Sequence, residues 1–125
     1  LMPEDQKALR LLVDTHFTQG NTVEAIKRLD VLLGVYAKHN EIDRIVRILE
    51  EFVRTNAQEP ALRSRLASIY RKLGRVREAI EQLDALGEIQ LDAGQNREAA
   101  NTIRQIIALG PERVEDYKRL LSQLM

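Results

Sequence analysis

The 125-residue sequence contains no cysteine and no tryptophan, and only 4% of its residues are aromatic. The lack of cysteine excludes a disulfide scaffold, a thiolate metal site and a cysteine nucleophile. Basic and acidic residues number 19 each, so no surplus positive charge is available to displace the counterions of a nucleic acid. No apolar run approaches the roughly 20 residues that span a bilayer. We therefore expect no nucleic acid and no membrane as partners, and a cytoplasmic location.

The six glycines and three prolines are few, and most of them stand at the ends or the starts of stretches with helical apolar spacing. Such stretches are followed by residues that tolerate the left-handed conformation of a helix end, namely Gly20, Asn40, Gly74, Gly94 and Gly110. Pro3, Pro60 and Pro111 stand at expected helix starts, because the missing N–H of proline costs little there. The pattern predicts helices at about 4–19, 22–39, 41–55, 60–73, 76–93, 96–109 and 112–125.

Apolar residues within these segments recur at i, i+3, i+4 and i+7, as in Leu62, Leu66, Ile69 and Leu73. No segment alternates with period two for long enough to form a strand. Connections of about two to five residues make neighbouring helices pack antiparallel. The sequence therefore predicts an all-α fold of about seven helices.

Two internal repeats are visible. Residues 20–32 and 74–86 share the pattern G-x-x-x-E-A-I-x-x-L-D-x-L at an offset of 54, with seven of thirteen positions identical. A second offset of 34 relates Leu32 to Leu66 and Leu49 to Leu83. Repeats with a period in this range are typical of stacked helical hairpins.

At these residues the chain resembles the tetratricopeptide-repeat family, whose unit is a 34-residue helix–turn–helix. The resemblance implies one domain, residues 1–125, folded as a right-handed α-solenoid of antiparallel helical hairpins. Its units would lie at about 6–39, 40–79 and 80–113, followed by a C-terminal helix at 112–125. A chain that begins with Leu1 and ends with Leu124-Met125 also suggests an excerpt from a longer protein.

Two phases of helix pairing are open. One pairs the helices within 6–39 and within 80–113, and the other pairs those within 60–93. Depending on the phase, either helix 60–73 or helix 76–93 lines the groove of the solenoid.

Charge is uneven along the second half of the chain. Residues 63–77 hold six basic residues and no acid, whereas residues 78–98 hold six acids and one base. One interpretation is that a basic helix pairs with an acidic neighbour. The alternative is a charged groove that orients a protein or peptide partner, with candidate residues Ser64, Ser68, Arg71, Lys72, Glu81, Asp84, Glu88 and Asp92. A groove lined by helix 60–73 would favour an acidic or carboxyl-terminal ligand, and one lined by helix 76–93 a basic segment.

Two helices carry more apolar side chains than packing within one helical hairpin can bury. Helix 22–39 is apolar on almost every face, so we expect helices 4–19 and 41–55 to cover it, with a homodimer contact as the alternative. The last helix carries Leu121, Leu124 and Met125 beyond what one neighbour can bury. These three residues are candidates for self-association, since burying an exposed leucine is worth roughly 1.5–3 kcal/mol.

The sequence offers no catalytic chemistry. His16 and His39 both precede helix-ending turns, which predicts helix-terminal or packing roles. No phosphate-binding glycine loop and no H-E-x-x-H motif occurs. We predict no catalytic residue, metal or cofactor. The favoured function is a protein–protein interaction scaffold that holds a partner segment in a helical groove. A homo-oligomerisation module of a larger signalling or regulatory protein is the alternative, and a helical-repeat RNA binder is less favoured.

Overall fold

The computed structural model describes residues 3–125, with side chains from residue 5 onward. Over residues 3–125 the chain forms α-helices and no strand: α1 (Pro3–Thr18), α2 (Thr22–Lys38), α3 (Ile42–Thr55), α4 (Pro60–Lys72), α5 (Val76–Asp92), α6 (Asn96–Ala108) and α7 (Val114–Leu124). The predicted all-α class with seven helices is confirmed for this range. Every helix end lies within two residues of its predicted position.

Short turns end most of the helices in the same way. The backbone has a positive φ at the residues predicted to end helices, Gly20, Asn40, Gly74, Gly94 and Gly110. At the first four, the N–H of the following residue donates to a carbonyl five residues earlier at 2.8 Å, as from Arg75 to Tyr70. This bond satisfies a carbonyl that the helix end leaves unpaired. Asn40 is the one non-glycine residue among them, and asparagine tolerates this conformation better than most residues.

Pro60 lies at the first residue of a helix, as predicted, whereas Pro111 lies before the helix that it was expected to begin. Pro60 begins α4, and the carboxylate of Glu59 accepts a hydrogen bond of 3.3 Å from the N–H of Ala61. This is an N-cap, which satisfies one of the free donors of the first turn. Pro111 instead lies in the α6–α7 connection, and α7 begins at Val114. The predicted start of the last helix is therefore two residues early.

Helix starts recur at the longer of the two sequence offsets. Helices α2 and α5 begin 54 residues apart, at residues 22 and 76, and are both 17 residues long. The same offset separates the starts of α3 and α6, at 42 and 96, and those of α4 and α7, at 60 and 114. The offset of 54 is thus a property of the backbone as well as of the sequence. The division into units at 6–39, 40–79 and 80–113 stays a prediction.

Contacts between residues divide the chain into two compact units, residues 1–48 (unit 1) and 49–125 (unit 2). In unit 1, α1 packs on α2, and the fully buried side chains include Val13, Leu29 and Leu32. Val23 and Val31 of α2 remain 70% and 57% exposed. Coverage of α2 by its neighbouring helices therefore leaves these two valines exposed.

In unit 2, α4 packs on α5, α5 on α6, and α6 on α7. The core is a cluster formed by Ala67, Leu83, Leu86 and Ile106, with Ile80, Leu109 and Tyr117 packed against it. Small side chains lie where α5 meets α6: a methyl group placed on Gly87 would stand 3.8 Å from Cγ2 of Thr102. This distance is ordinary van der Waals contact, so α5 and α6 pack directly against each other here.

No helix in the described range is both long and apolar enough to cross a membrane. The expected cytoplasmic location stays a prediction.

Candidate functional site

One exposed face of α4 carries four of the predicted groove residues, Ser64, Ser68, Arg71 and Lys72. Their spacing of i, i+4, i+7 and i+8 places them along one side of the helix. The opposite side of α4 is buried through Leu62, Leu66, Ala67 and Tyr70. The side chains of Arg71 and Lys72 form no ion pair or hydrogen bond with any residue of the described chain. We call these four residues the α4 face.

The other four predicted groove residues lie on α5. Glu81, Asp84, Glu88 and Asp92 are all exposed, and their spacing of i, i+3, i+7 and i+11 aligns them along the helix. We call this set the acidic stripe. Asp84 is already engaged, because the hydroxyl of Tyr117 on α7 donates to its two carboxylate oxygens at 2.7 and 2.9 Å. Both sets of predicted residues are therefore accessible, but on different helices.

The two charged sets do not neutralise each other. Within residues 3–125, none of the acidic-stripe carboxylates forms an ion pair. A polar side-chain contact from α4 to α5 is instead the hydrogen bond of 3.0 Å that Arg63 donates to the amide oxygen of Gln82. The interpretation that a basic helix pairs with an acidic neighbour is therefore wrong for the stripe, where Asp84 accepts from the hydroxyl of Tyr117 and not from a cation.

A polar network at one end of the α4–α5 hairpin was not predicted from the sequence. The hydroxyl of Tyr70 on α4 donates to a carboxylate oxygen of Glu50 on α3. The Arg75 guanidinium lies 4.7 Å from the centre of the Tyr70 ring, and its Nε donates to Glu78 at 2.7 Å. The hydrogen bond from Arg75 lowers the pKa of Glu78, and burial raises the pKa of Tyr70. Arg75 is thus held in the network and does not join the α4 face.

A cleft of about 570 Å³ lies between the start of α5 and the α6–α7 connection. It is lined by Val76, Arg77, Ile80, Gly110, Pro111, Glu112, Arg113 and Tyr117. We call it the α5–α7 cleft. None of these residues was among the predicted groove residues. The sequence signals that include cleft residues are the repeat at 74–86, the basic run at 63–77 and the Gly110-Pro111 turn, and none of them predicted a binding site here.

The ring of Tyr117 forms one wall of this cleft, and its environment changes its acidity. Burial, together with the hydrogen bond to Asp84, raises the pKa of Tyr117 to about 12 from its ordinary value of 10.0. Ionisation of the phenol would remove the proton that joins α7 to α5. Tyr117 therefore stays protonated, and hydrogen-bonded to Asp84, at neutral pH.

This shift predicts a loss of stability in alkali. A raised pKa in the folded state gives a contribution that is present below pH 10 and lost as the pH rises to about 12. We expect the urea midpoint to fall across this window, and to fall less in a Tyr117→Phe variant, which has no phenol to ionise. Urea titrations at several pH values between 9 and 12 measure the difference. If the urea midpoint fell equally with pH in the wild type and in Tyr117→Phe, the prediction would be contradicted.

The predicted self-association residues lie at the end of α7. Leu121 and Leu124 are half-buried, whereas Met125 is 80% exposed. The sulfur of Met125 lies 3.5 Å from Nη2 of Arg104 on α6. Helix α7 has no fully buried residue.

The histidines occupy the places expected of them. His16 lies in the last turn of α1, and its Nδ1 is buried without a hydrogen-bond partner in the described chain. His39 is the exposed C-cap of α2. No group of three or more histidine or acidic side chains that could hold a metal occurs among the described residues.

Comparison with known proteins gives a family match at the α4–α5 hairpin. The tetratricopeptide-repeat family model matches residues 61–81, which covers nearly all of α4 and the first part of α5. This match confirms the resemblance to the family that was stated from the sequence. Repeats of this family generally mediate protein–protein interactions and are typically non-enzymatic scaffolds.

Two solved structures are similar to the chain at low identity. One is a thermophilic tetratricopeptide-repeat protein of Thermus thermophilus, with 18% identity and a TM-score of 0.37, covering 98% of this chain and 82% of the other. The second, named as nearly identical TPR-like repeats of a putative kinesin light chain of Podospora anserina, has 17% identity and a TM-score of 0.33, covering 98% of this chain and 85% of the other. No curated protein sequence matches the chain.

Proposed function

We propose that the chain is a protein-interaction module whose α4 face holds an acidic segment of a partner protein. The observation that carries the proposal is that Arg71 and Lys72 are exposed and have no partner within the described chain. A carboxylate that binds these two cations breaks no ion pair of the described chain and can form charge-assisted hydrogen bonds with them.

The rest of the α4 face supports an extended ligand. Ser68 and Ser64 lie about one and two turns before Arg71, and their short side chains leave room for a peptide backbone to approach the helix. Each hydroxyl can donate to or accept from that backbone. A segment lying along α4 would therefore meet two hydrogen-bonding groups and then two positive charges.

The acidic stripe supports the competing proposal of a basic ligand less well. Asp84, in the middle of the stripe, already accepts the hydroxyl of Tyr117, and that bond joins α5 to α7. A basic ligand would compete for a carboxylate on which the packing of α7 depends. Such a ligand remains a distinct outcome of the experiment below.

Charge reversal on the α4 face tests the proposal. The probes are two fluorescent peptides, one alternating glutamate with leucine and one alternating lysine with leucine. We expect the glutamate peptide to bind the wild type more tightly at low salt and to bind Arg71→Glu with Lys72→Glu about tenfold or more weakly. Two exposed charges change from attraction to repulsion, each worth up to ~1 kcal/mol per pair, and about 1.4 kcal/mol is tenfold in affinity. Fluorescence anisotropy measures both affinities.

Glu81→Lys with Glu88→Lys is the matched control, because it reverses two exposed, unpaired charges and leaves Asp84 with Tyr117. We expect this variant to bind the glutamate peptide at least as tightly as the wild type does. Unchanged binding by the α4-face variant would refute the proposal. Tighter binding of the lysine peptide to the wild type, abolished by the control variant, would assign the site to the acidic stripe.

Self-association is a second candidate function, favoured by the exposure of Met125 in unit 2 and of Leu11, Val23 and Val31 in unit 1. Apolar side chains this exposed gain from burial against a second copy. Light scattering over a range of concentrations measures the mass. A monomer at the highest concentration would eliminate this candidate.

A further inference from the structure

The α5–α7 cleft is separate from the α4 face and offers a different kind of binding surface. Its apolar part is formed by Val76 and Ile80, which lie one turn apart on α5, and by the ring of Tyr117. Val76 is 38% exposed, and Ile80 and Tyr117 are half-buried against the unit 2 core. The volume of about 570 Å³ falls in the range of ordinary ligand sites, about 300–1,000 Å³.

The Tyr117 wall is held in place before any ligand arrives. Its hydroxyl bonds to both carboxylate oxygens of Asp84, and its ring packs against the cluster that contains Leu83 and Ile106. A side chain fixed in this way loses little further freedom on binding, so less of the binding free energy is spent on ordering it.

Charges of opposite sign line the rim of the cleft. Arg113 is engaged by Asp116, with Nε 2.8 Å from Oδ2. Arg77 on α5 and Glu112 on the α6–α7 connection form no ion pair or hydrogen bond anywhere in the described chain, and so do not pair with each other. The cleft therefore presents one available cation and one available carboxylate, held apart on different elements.

We infer that the α5–α7 cleft binds a partner segment in which an apolar side chain stands between an acidic and a basic residue. The apolar side chain packs on Val76, Ile80 and the ring of Tyr117. The acidic residue reaches Arg77 and the basic residue reaches Glu112. Because these rim charges are opposite in sign, they select one direction of the bound segment. The cleft is open to solvent, so a segment of a larger partner can reach it.

The test uses three end-blocked peptides: Glu-Ser-Leu-Ser-Lys, its reverse Lys-Ser-Leu-Ser-Glu, and the uncharged Ser-Ser-Leu-Ser-Ser. Titration of the ¹⁵N-labelled 125-residue chain should shift the amide signals of Val76, Ile80 and Tyr117. We expect one charged order to bind about two- to tenfold more tightly than the other. In Arg77→Glu with Glu112→Lys the preference should reverse, while binding of the uncharged peptide stays unchanged.

Two further variants keep the result interpretable. Val76 is partly exposed in the apolar part of the cleft. Val76→Asp should weaken the binding of all three peptides, because it places a carboxylate on this apolar surface. Arg71→Glu with Lys72→Glu should change none of them, so a failure of the α4-face proposal is distinguishable from a failure here. The inference is overturned if the charge swap leaves the preferred order unchanged, if the shifted signals lie away from the cleft, or if no peptide binds up to about 1 mM.

Discussion

Leu83→Ala is expected to destabilise unit 2 by about 2–5 kcal/mol, the range for deleting a buried leucine side chain. Leu83 is 2% exposed and lies in the cluster with Ala67, Leu86 and Ile106, which brings together α4, α5 and α6. Truncation removes the transfer free energy of the lost atoms and leaves a cavity between three helices. Urea unfolding followed by helical circular dichroism measures the change.

Leu73→Ala is the matched control, because the chemical change is identical and Leu73 lies in the same helical hairpin at 43% exposure. We expect it to cost less than about 1 kcal/mol, since most of the removed surface is already in contact with water. Equal losses in the two variants would show that the cluster is not the core of unit 2.

Tyr70→Ala is expected to cost about 3–5 kcal/mol, as for other buried aromatic residues. Tyr70 is 4% exposed, its hydroxyl donates to Glu50, and Arg75 lies over its ring. The substitution therefore removes ring packing, the cation–π contact and the hydrogen bond together. Its effect should exceed that of any single exposed substitution on α4.

Tyr70→Phe separates the hydrogen bond from the packing. We expect it to cost about 1–2 kcal/mol, because the ring remains and the half-buried carboxylate of Glu50 regains water. A double-mutant cycle with Glu50→Gln reports the coupling of the two groups. The separation of hydrogen bond from packing would be refuted if Tyr70→Phe lost as much unfolding free energy as Tyr70→Ala. It would also be refuted if the cycle showed no coupling between Tyr70 and Glu50.

The helix ends could be predicted from the sequence because their signals are local. Glycine at residues 20, 74, 94 and 110, and Asn40, adopt the left-handed conformation within a few residues of the helices they end. That preference depends on the residue itself and on its immediate neighbours, so no tertiary information is needed.

The functional surfaces could be predicted only in part. The spacing of the acidic stripe on one helix is local, and its exposure follows from the charges. The engagement of Asp84 by Tyr117 joins residues 33 positions apart, and the α5–α7 cleft exists only once α7 lies beside α5. In α2, where nearly every face is apolar, periodicity does not indicate that Val23 and Val31 are the ones left exposed.

Packing between neighbours along the chain also governs how it folds. The principal contacts within each unit join consecutive helices, through connections of three to five residues. Closing such loops costs little entropy, and domains of low contact order fold in microseconds to milliseconds. Any hairpin can serve as the nucleus on which the next helix docks. The bond between Tyr117 and Asp84 spans 33 positions, so it forms only after the chain from α5 to α7 has docked.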